Sequence, residues 1–213
     1  MSDDRIFLHE RLFRNIEIHA QKLITLCGAG AIGGNLAILM ASQNFVNLRI
    51  IDKDRIEERN IGTQPYTLPE LRSYKANSLR KYLYRKCKAH VEPYIVELKA
   101  ENAVSLLKGS DLVVDTFDNS KSRRTVKEIC EELDIVCVHA GMSADGYSEV
   151  VWNDSYEVPQ DEGIDLCEYP LALNLVWMTT ALTSEAILLY IHKGEKKNYF
   201  FTLRDFKLMD ADV

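Results

Sequence analysis

The stretch ITLCGAGAIGG, residues 24–34, is an apolar run that breaks into Gly28-x-Gly30-x-x-Gly33 and opens onto a second apolar run. A strand feeding a turn of this kind leaves backbone N–H groups and a helix N-terminus facing an anion. Dinucleotide-dependent enzymes and certain ATP users share it, so the motif alone does not say which phosphate is held. The residues after it place Ile32, Leu36, Leu39 and Met40 on one side of a helix over Ile32–Gln43, as expected for a helix lying on a sheet.

Beyond that turn the chain alternates short β-rich runs with longer helical patterns, the signature of βαβ units feeding a mostly parallel sheet. Strands are expected near Lys22–Cys27, Leu48–Asp52, Glu92–Glu97, Asp111–Thr116 and Ile135–His139, with helices near Pro69–Cys87, Ala100–Lys108 and Ser120–Leu133. After His139 the pattern changes. Turn residues and then alternation predict that Tyr147–Trp152 pairs antiparallel with a neighbour. The acidic, aperiodic NDSYEVPQDEGIDLCEYP reads as a long loop, and such loops are usually functional or mobile. A helix from about Leu171 and a last strand near Tyr199–Leu203 close the chain. The fold class is α/β: a Rossmann-like, doubly wound, mostly parallel sheet with antiparallel C-terminal strands. Residues 1–213 read as one domain, divided into an N-terminal arm (1–20), a nucleotide-binding half (21–140) and a crossover loop with C-terminal part (141–213).

With 213 residues there is room for one well-buried α/β domain. A net charge of −6 argues against a general polyanion binder, so nucleic acid is not an expected partner. The five cysteines (27, 87, 130, 137 and 167) are odd in number and contain no C-x-x-C pair. They signal neither a disulfide framework nor a four-cysteine zinc site, which fits a reducing cytoplasm. The charged N-terminus MSDDRIFLHERLFRN has no signal-peptide core, and Leu171–Ile191, interrupted by Asn174, Glu185 and several hydroxyl residues, reads as a buried helix; no membrane association is expected.

In an open α/β sheet the ligand sits beyond the carboxyl ends of the strands, where strand order reverses. Asp52 ends the second strand, 24 positions after Gly28, where a carboxylate accepts from ribose hydroxyls. NAD and ATP fit equally well to this point. Asp118, in VVDTFDN, separates them: it brings a carboxylate to the same crevice, where hydride transfer needs no acid but a magnesium triphosphate does. Lys75, near the start of the helix that follows, offers a point charge for phosphate. Between them Asp54, Arg59, Asn60 and Gln64 supply more polar equipment than helix capping requires. For Asp118 the alternative is a helix N-cap, shared with Asn119. Lys75 stands on a helix whose basic residues are mostly a solvated face, or one that docks an acidic partner. His139 reads as a satisfied interior histidine.

These residues in this order resemble the ThiF/MoeB/HesA family, the adenylating core shared with ubiquitin-activating enzymes. The resemblance rests on Gly28, Gly30, Gly33 and Gly34; on Asp52 and Asp54; on Asn60-Ile-Gly-Thr-Gln64 against the family's Asn-x-x-Arg-Gln; on Lys75; and on Phe117-Asp118-Asn119. It covers roughly residues 8 to 153 well. The resemblance implies ATP and Mg²⁺ as cofactors, with Asp118 orienting the metal, Lys75 holding phosphates, Asp52 gripping ribose, and Asn60 and Gln64 positioning the triphosphate. ERLFRNIEI resembles the family's Arg-Tyr-x-Arg-Gln segment, which implies a homodimer in which Arg14 reaches the partner's nucleotide. Thr63 stands where the family has arginine, so a phosphate ligand is missing unless Arg59 substitutes. The family's zinc-binding C-x-x-C pairs are also absent, and no structural zinc is expected.

The reaction implied is adenylation: a carboxylate, normally the C-terminal glycine of a ubiquitin-like or sulfur-carrier protein, attacks the α-phosphorus of ATP and expels pyrophosphate. Cys167 is the one cysteine in a polar loop and is a candidate for a subsequent thioester. Its neighbours Asp161, Glu162, Asp165 and Glu168 oppose thiolate formation, and the other reading is a remnant of a lost zinc site. Adenylation of a peptide or other carboxylate or amide, and a nucleotide-binding scaffold subunit that has lost catalysis, are alternatives; Thr63 favours the second, Asp118 and Lys75 oppose it. An NAD-dependent reductase is disfavoured, because no Tyr-x-x-x-Lys or His-Asp pair follows the nucleotide half.

Overall fold

A computed structural model of the chain describes residues 5–160 and 170–212. Eight strands form one sheet: β1 (Leu23–Cys27), β2 (Asn47–Ile51), β3 (His90–Tyr94), β4 (Leu112–Asp115), β5 (Cys137–Met142), β6 (Tyr147–Trp152), β7 (Lys197–Thr202) and β8 (Lys207–Asp212). Their spatial order is β3-β2-β1-β4-β5-β6-β7-β8; the first five run parallel and the last three are added antiparallel. Strand order therefore reverses between β1 and β4, which places a crevice outside their carboxyl ends.

The parallel strands read as unbroken apolar runs because both faces of the sheet are covered. Leu26, Ile50 and Val114 join one buried cluster, while their neighbours Cys27, Ile51 and Val113 join the other. The first cluster lies under α2 (Ala31–Ser42), α3 (Lys75–Cys87) and α6 (Leu173–Lys193), and the second under α4 (Ala100–Leu107) and α5 (Ser120–Glu132). α2 packs against both β1 and α6, so it is buried nearly all round rather than on the single stripe that its sequence suggests. By length and apolarity alone α6 is long enough to cross a membrane. Here its Leu175, Val176, Thr179, Ala186, Ile187 and Leu188 are buried, and Trp177, Ala181 and Glu185 face outward.

Several boundaries differ from the sequence reading, each for a local reason. The helix expected over Pro69–Cys87 begins at Lys75. Leu68–Glu70 form a separate 3-10 turn closed by reciprocal Thr67 and Glu70 bonds, and Arg72 then adopts a left-handed backbone (φ 68°), which ends any helical run. The third strand is His90–Tyr94, earlier than Glu92–Glu97, because Lys88 closes α3 in the left-handed conformation (φ 60°) and the chain pairs at once with β2. Pro93 is accommodated there because β3 is a sheet edge. The fifth strand, Cys137–Met142, starts later than Ile135 and runs on into its hairpin with β6. Neither the final strand β8 nor the short helix α1 (Leu8–Phe13) was evident in the sequence.

The arm before β1 is fastened to α6 and to the loop after α2. Ile16 is fully buried, and Asn44 and Asn47 donate to the carbonyls of Ile16 and Ala20. His19 is buried, with its ring stacked on Phe45 at 4.3 Å; Nδ1 lies 2.6 Å from the Gln43 carbonyl and Nε2 lies 2.8 Å from Nε2 of His192. A carbonyl only accepts, so Nδ1 of His19 carries the proton, Nε2 accepts, and His192 donates from Nε2. Burial lowers both histidine pKa values below 6.5, with the Arg14 charge acting in the same direction. The unfolded chain therefore takes up protons more readily than the folded one. The stability contributed by this pair is fully present above the unfolded value and is lost as pH falls from there through the lower folded values. We expect unfolding free energy in urea to fall between about pH 7 and pH 5, and the slope to be reduced in His192→Gln. An unchanged slope in that variant contradicts the arrangement.

Candidate active site

The turn from β1 into α2 is shaped by contacts that leave no room for side chains. Gly28 has φ +102°, which only glycine adopts without strain. A Cβ on Gly33 would stand 2.2 Å from the Gly28 carbonyl oxygen and 2.6 Å from Thr116 Oγ1. Thr116, just past the end of β4, donates to the Cys27 carbonyl at 2.9 Å and forms the floor of the turn. A Cβ on Gly34 would meet the Pro65 ring at 2.9 Å, whereas Gly30 has open space around it. Gly28 and Gly33 are thus required by packing, and Gly30 leaves the backbone approachable from the crevice.

Asp52 follows β2 and is 8% exposed. One of its carboxylate oxygens accepts the Ala29 N–H at 2.7 Å and the other accepts the Asp54 N–H at 2.7 Å. Burial raises its pKa, and the Lys75 charge together with those two N–H bonds opposes the rise. In the structure Asp52 is therefore first a brace of the glycine turn, with the second lone pair of each oxygen left to accept from a ligand.

Lys75 reaches the same place by a backbone device. Residues 54–56 are tied to residues 72–75 by bonds from Ile56 N to Ser73 O, Arg72 N to Ile56 O and Lys75 N to Asp54 O, which close the loop 57–71 at its base. Lys75 becomes the first residue of α3, 7% exposed, with Nζ 3.4 Å from Asp54 Oδ2. A lysine at a helix N-terminus opposes the helix dipole, so its charge there is balanced by acids, or by a ligand, rather than by its own helix.

The remaining residues divide. Asn119 caps α5 by accepting the Ser122 N–H at 2.9 Å, and this leaves Asp118 exposed and free of capping duty. Asn60 Oδ1 accepts the Glu57 N–H, and Arg59 pairs with Glu57, so both are engaged within their own turn. Gln64 Oε1 is buried with no hydrogen-bond partner among the described residues. Arg14 pairs within its own chain, Nε to Glu10 at 2.8 Å and Nη2 to Glu185 on α6 at 3.0 Å, rather than lying in the crevice. Cys167 lies outside the described residues. His139 is fully buried, its ring nitrogens 2.8 Å from Asp115 Oδ2 and 2.7 Å from Asn153 Oδ1, which is the interior role read from the sequence. Among the described residues no group of three potential metal ligands exists. Mg²⁺ commonly takes one or two carboxylates and completes its shell with phosphate oxygens and water, so the exposed Asp118 fits an ion carried in by a nucleotide.

Two contributors were missed in the sequence. Thr116 was read only as the end of a strand, although a hydroxyl at that point is what seats the glycine turn. Tyr66, two residues after Gln64, donates to the Ala29 carbonyl at 2.7 Å. Its aromatic character gave no hint of a polar contact.

Comparison with known proteins places the chain in a family. The model of the ThiF family matches residues 16–205, and the chain belongs to that family. A sulfur carrier protein adenylyltransferase from Thermus thermophilus is 31% identical over 107 residues, 49% of this chain and 40% of that protein. An adenylyltransferase and sulfurtransferase MOCS3 from Anopheles gambiae is 28% identical over 109 residues, 50% of this chain and 25% of the relative. The chain thus matches less than half the length of these relatives. Among solved structures, E. coli MccB with MccA-N7isoASN superposes with a TM-score of 0.80 at 15% identity, covering 98% of this chain and 71% of that one. PaaA superposes with a TM-score of 0.77 at 18% identity, covering 99% and 72%. At these identities the likeness is one of fold.

The packing argument separates two glycines of one motif. Gly33→Ala is expected to lower stability by about 1–3 kcal/mol and to weaken nucleotide binding more than about tenfold, because the turn must open to admit the methyl group. Gly30→Ala is expected to fold with stability within about 1 kcal/mol of the parent and to lose affinity only where the methyl meets the phosphates. Thermal melts with titration of a fluorescent ATP analogue check both; equal stability losses in the two variants contradict the geometry.

Proposed function

We propose that this chain is the core of an ATP-dependent adenylating enzyme whose substrate is the C-terminal glycine carboxylate of a ubiquitin-like or sulfur-carrier protein. The observation that carries the reading is the convergence, where strand order reverses, of a glycine turn, Lys75, Asp52 and Asp54, and an exposed Asp118 that caps no helix, in a chain of the ThiF family. A carboxylate oxygen attacks the α-phosphorus, the bond to the β-phosphate oxygen breaks, and pyrophosphate leaves with the electron pair. Such a step asks the protein for alignment and charge neutralisation rather than covalent help. Mg²⁺ held on Asp118 would supply charge neutralisation at the phosphates.

On this reading the N–H groups at Gly30–Gly33 bind phosphate, those of Gly28 and Ala29 being held by the Ile51 carbonyl and Asp52, and Lys75 exchanges Asp54 for the triphosphate. Asp52 accepts ribose hydroxyls while still bracing Ala29. Asn60 and Gln64 line the approach, and a ligand donor satisfies the buried Gln64 Oε1. Arg59 makes good the missing arginine at Thr63 only by leaving Glu57.

A homodimer with Arg14 acting on the partner's nucleotide belongs to the same proposal. Leu12 and Phe13 beside Arg14 are 76% and 79% exposed, and Trp177, 53% exposed, shares the outward face of α6 with Glu185. This apolar surface borders the arginine that would cross the interface, and in the dimer Arg14 must exchange Glu185 for phosphate. If so, mixing the inactive variants Arg14→Ala and Asp118→Ala regenerates one intact site per mixed dimer, with activity recovering to roughly a quarter of the parent. No recovery contradicts a shared site.

A second reading, adenylation of a short peptide, is supported by the superposition of nearly the whole chain on E. coli MccB in a structure with MccA-N7isoASN. ATP–pyrophosphate exchange separates the two. Exchange is expected with carrier proteins ending in glycine, reduced about a hundredfold in Asp118→Ala and retained in Cys167→Ala, because exchange reports the adenylation step that precedes any thioester. Exchange with peptides alone favours the second reading. ATP binding without exchange for any carboxylate identifies a scaffold subunit.

A further inference from the structure

Ala29, between Gly28 and Gly30, is held at both of its polar groups by side chains from one segment. Its N–H donates to Asp52 at 2.7 Å, and its carbonyl accepts from the Tyr66 hydroxyl at 2.7 Å. Tyr66 is 4% exposed, and burial together with the Asp52 charge pushes its pKa well up, so the phenol keeps its proton and donates. The grip continues through the residues before it. Asn35 donates to the Thr63 carbonyl at 3.0 Å and to the Ala31 carbonyl at 2.7 Å, and the Pro65 ring stands against Gly34. Thr63, Pro65 and Tyr66 are thus stapled to the first turn of α2, with Gln64 between them.

A buried phenol with one hydrogen bond is often no more than a core residue. Three features set this one apart. Its only hydrogen bond among the described residues goes to the residue at the centre of the anion-facing turn. That residue's other polar group is held by the carboxylate that faces the crevice. The same segment carries Asn60 and Gln64, so its attachment sets the distance between the turn and the polar groups across from it.

We propose that Tyr66 is a positioning residue for nucleotide phosphates: by holding the Ala29 carbonyl it keeps the N–H groups of the glycine turn in one orientation and registers the Asn60–Gln64 segment against them. Without the hydroxyl the Ala29 carbonyl is left buried and unpaired. It regains a partner only if the peptide rotates, which withdraws the N–H array from the phosphates. The inference rests on the ATP reading given above.

Tyr66→Phe removes a single oxygen and keeps the ring. Mg-ATP affinity is expected to weaken about tenfold in this variant, while adenosine, which lacks phosphates, binds as it does to the parent. In exchange assays KM for ATP rises and kcat stays within about twofold. Hydrogen exchange of a peptide covering residues 24–34 quickens, while exchange in β4 is unchanged; this measurement needs no ligand and holds even if the variant melts early. Parent-like ATP affinity overturns the proposal. So does a parallel loss of ATP and adenosine affinity, which would mark Tyr66 as a core residue only. A parent chain that binds no ATP instead overturns the functional reading on which the inference depends.

Discussion

The carbonyl oxygen of Gly28 stands where a side chain on residue 33 would have to be, and the rest of the site depends on that contact. A close approach between a strand end and the first turn of a helix is possible only without Cβ atoms, and the first N–H groups of a helix have no partner within it and suit an anion. Thr116 closes the turn from the neighbouring strand β4, so the arrangement draws on both strands that flank the reversal of order. From this one constraint follow the location of the crevice, the direction from which an anion arrives, and the short list of side chains able to meet it.

The loop after β2 is the second half of the same device. A small antiparallel tie between residues 54–56 and 72–75 closes its base, and Asp52, Pro65 and Tyr66 fasten its two ends to the glycine turn. The result is a cradle, proposed above to hold phosphate, that is largely formed before any ligand arrives. Preorganised donors are worth more than donors that must be ordered at the moment of binding, because water is excluded and little reorganisation remains. The cost is charge. Lys75 sits at a helix N-terminus, against the dipole, beside Asp54 and near a buried Asp52, an arrangement that an anion with a bound cation can rebalance.

Much of this was legible in the sequence. The order and type of the parallel elements followed from apolar runs and glycine spacing, and Tyr147–Trp152 was read as an antiparallel strand with the bounds it has. Gly28 stands out by the glycine spacing, Asp52 and Asp118 by their places at or just past the carboxyl ends of strands, and Lys75 by a positive charge near the start of the next helix. What was not legible depended on geometry across the chain. Asp52 was read as a ribose ligand, and nothing in its spacing shows that both oxygens already hold backbone N–H groups. Asn119 and not Asp118 caps α5, a choice between neighbours that only the backbone makes. Tyr66 and Thr116 escaped because a phenol and a threonine at strand or loop ends carry no charge signal. Arg14 was placed by resemblance, and its contacts with Glu10 and Glu185 depend on how α1 lies on α6.

A crystal structure with Mg²⁺ and a non-hydrolysable ATP analogue tests the central claim most directly. The account predicts that the triphosphate lies along the N–H groups of residues 30–33, that the Ala29 bonds to Asp52 and Tyr66 remain, and that Lys75 has turned from Asp54 to phosphate. A nucleotide bound elsewhere, or a glycine turn rebuilt with the Ala29 peptide rotated away from both partners, would contradict it.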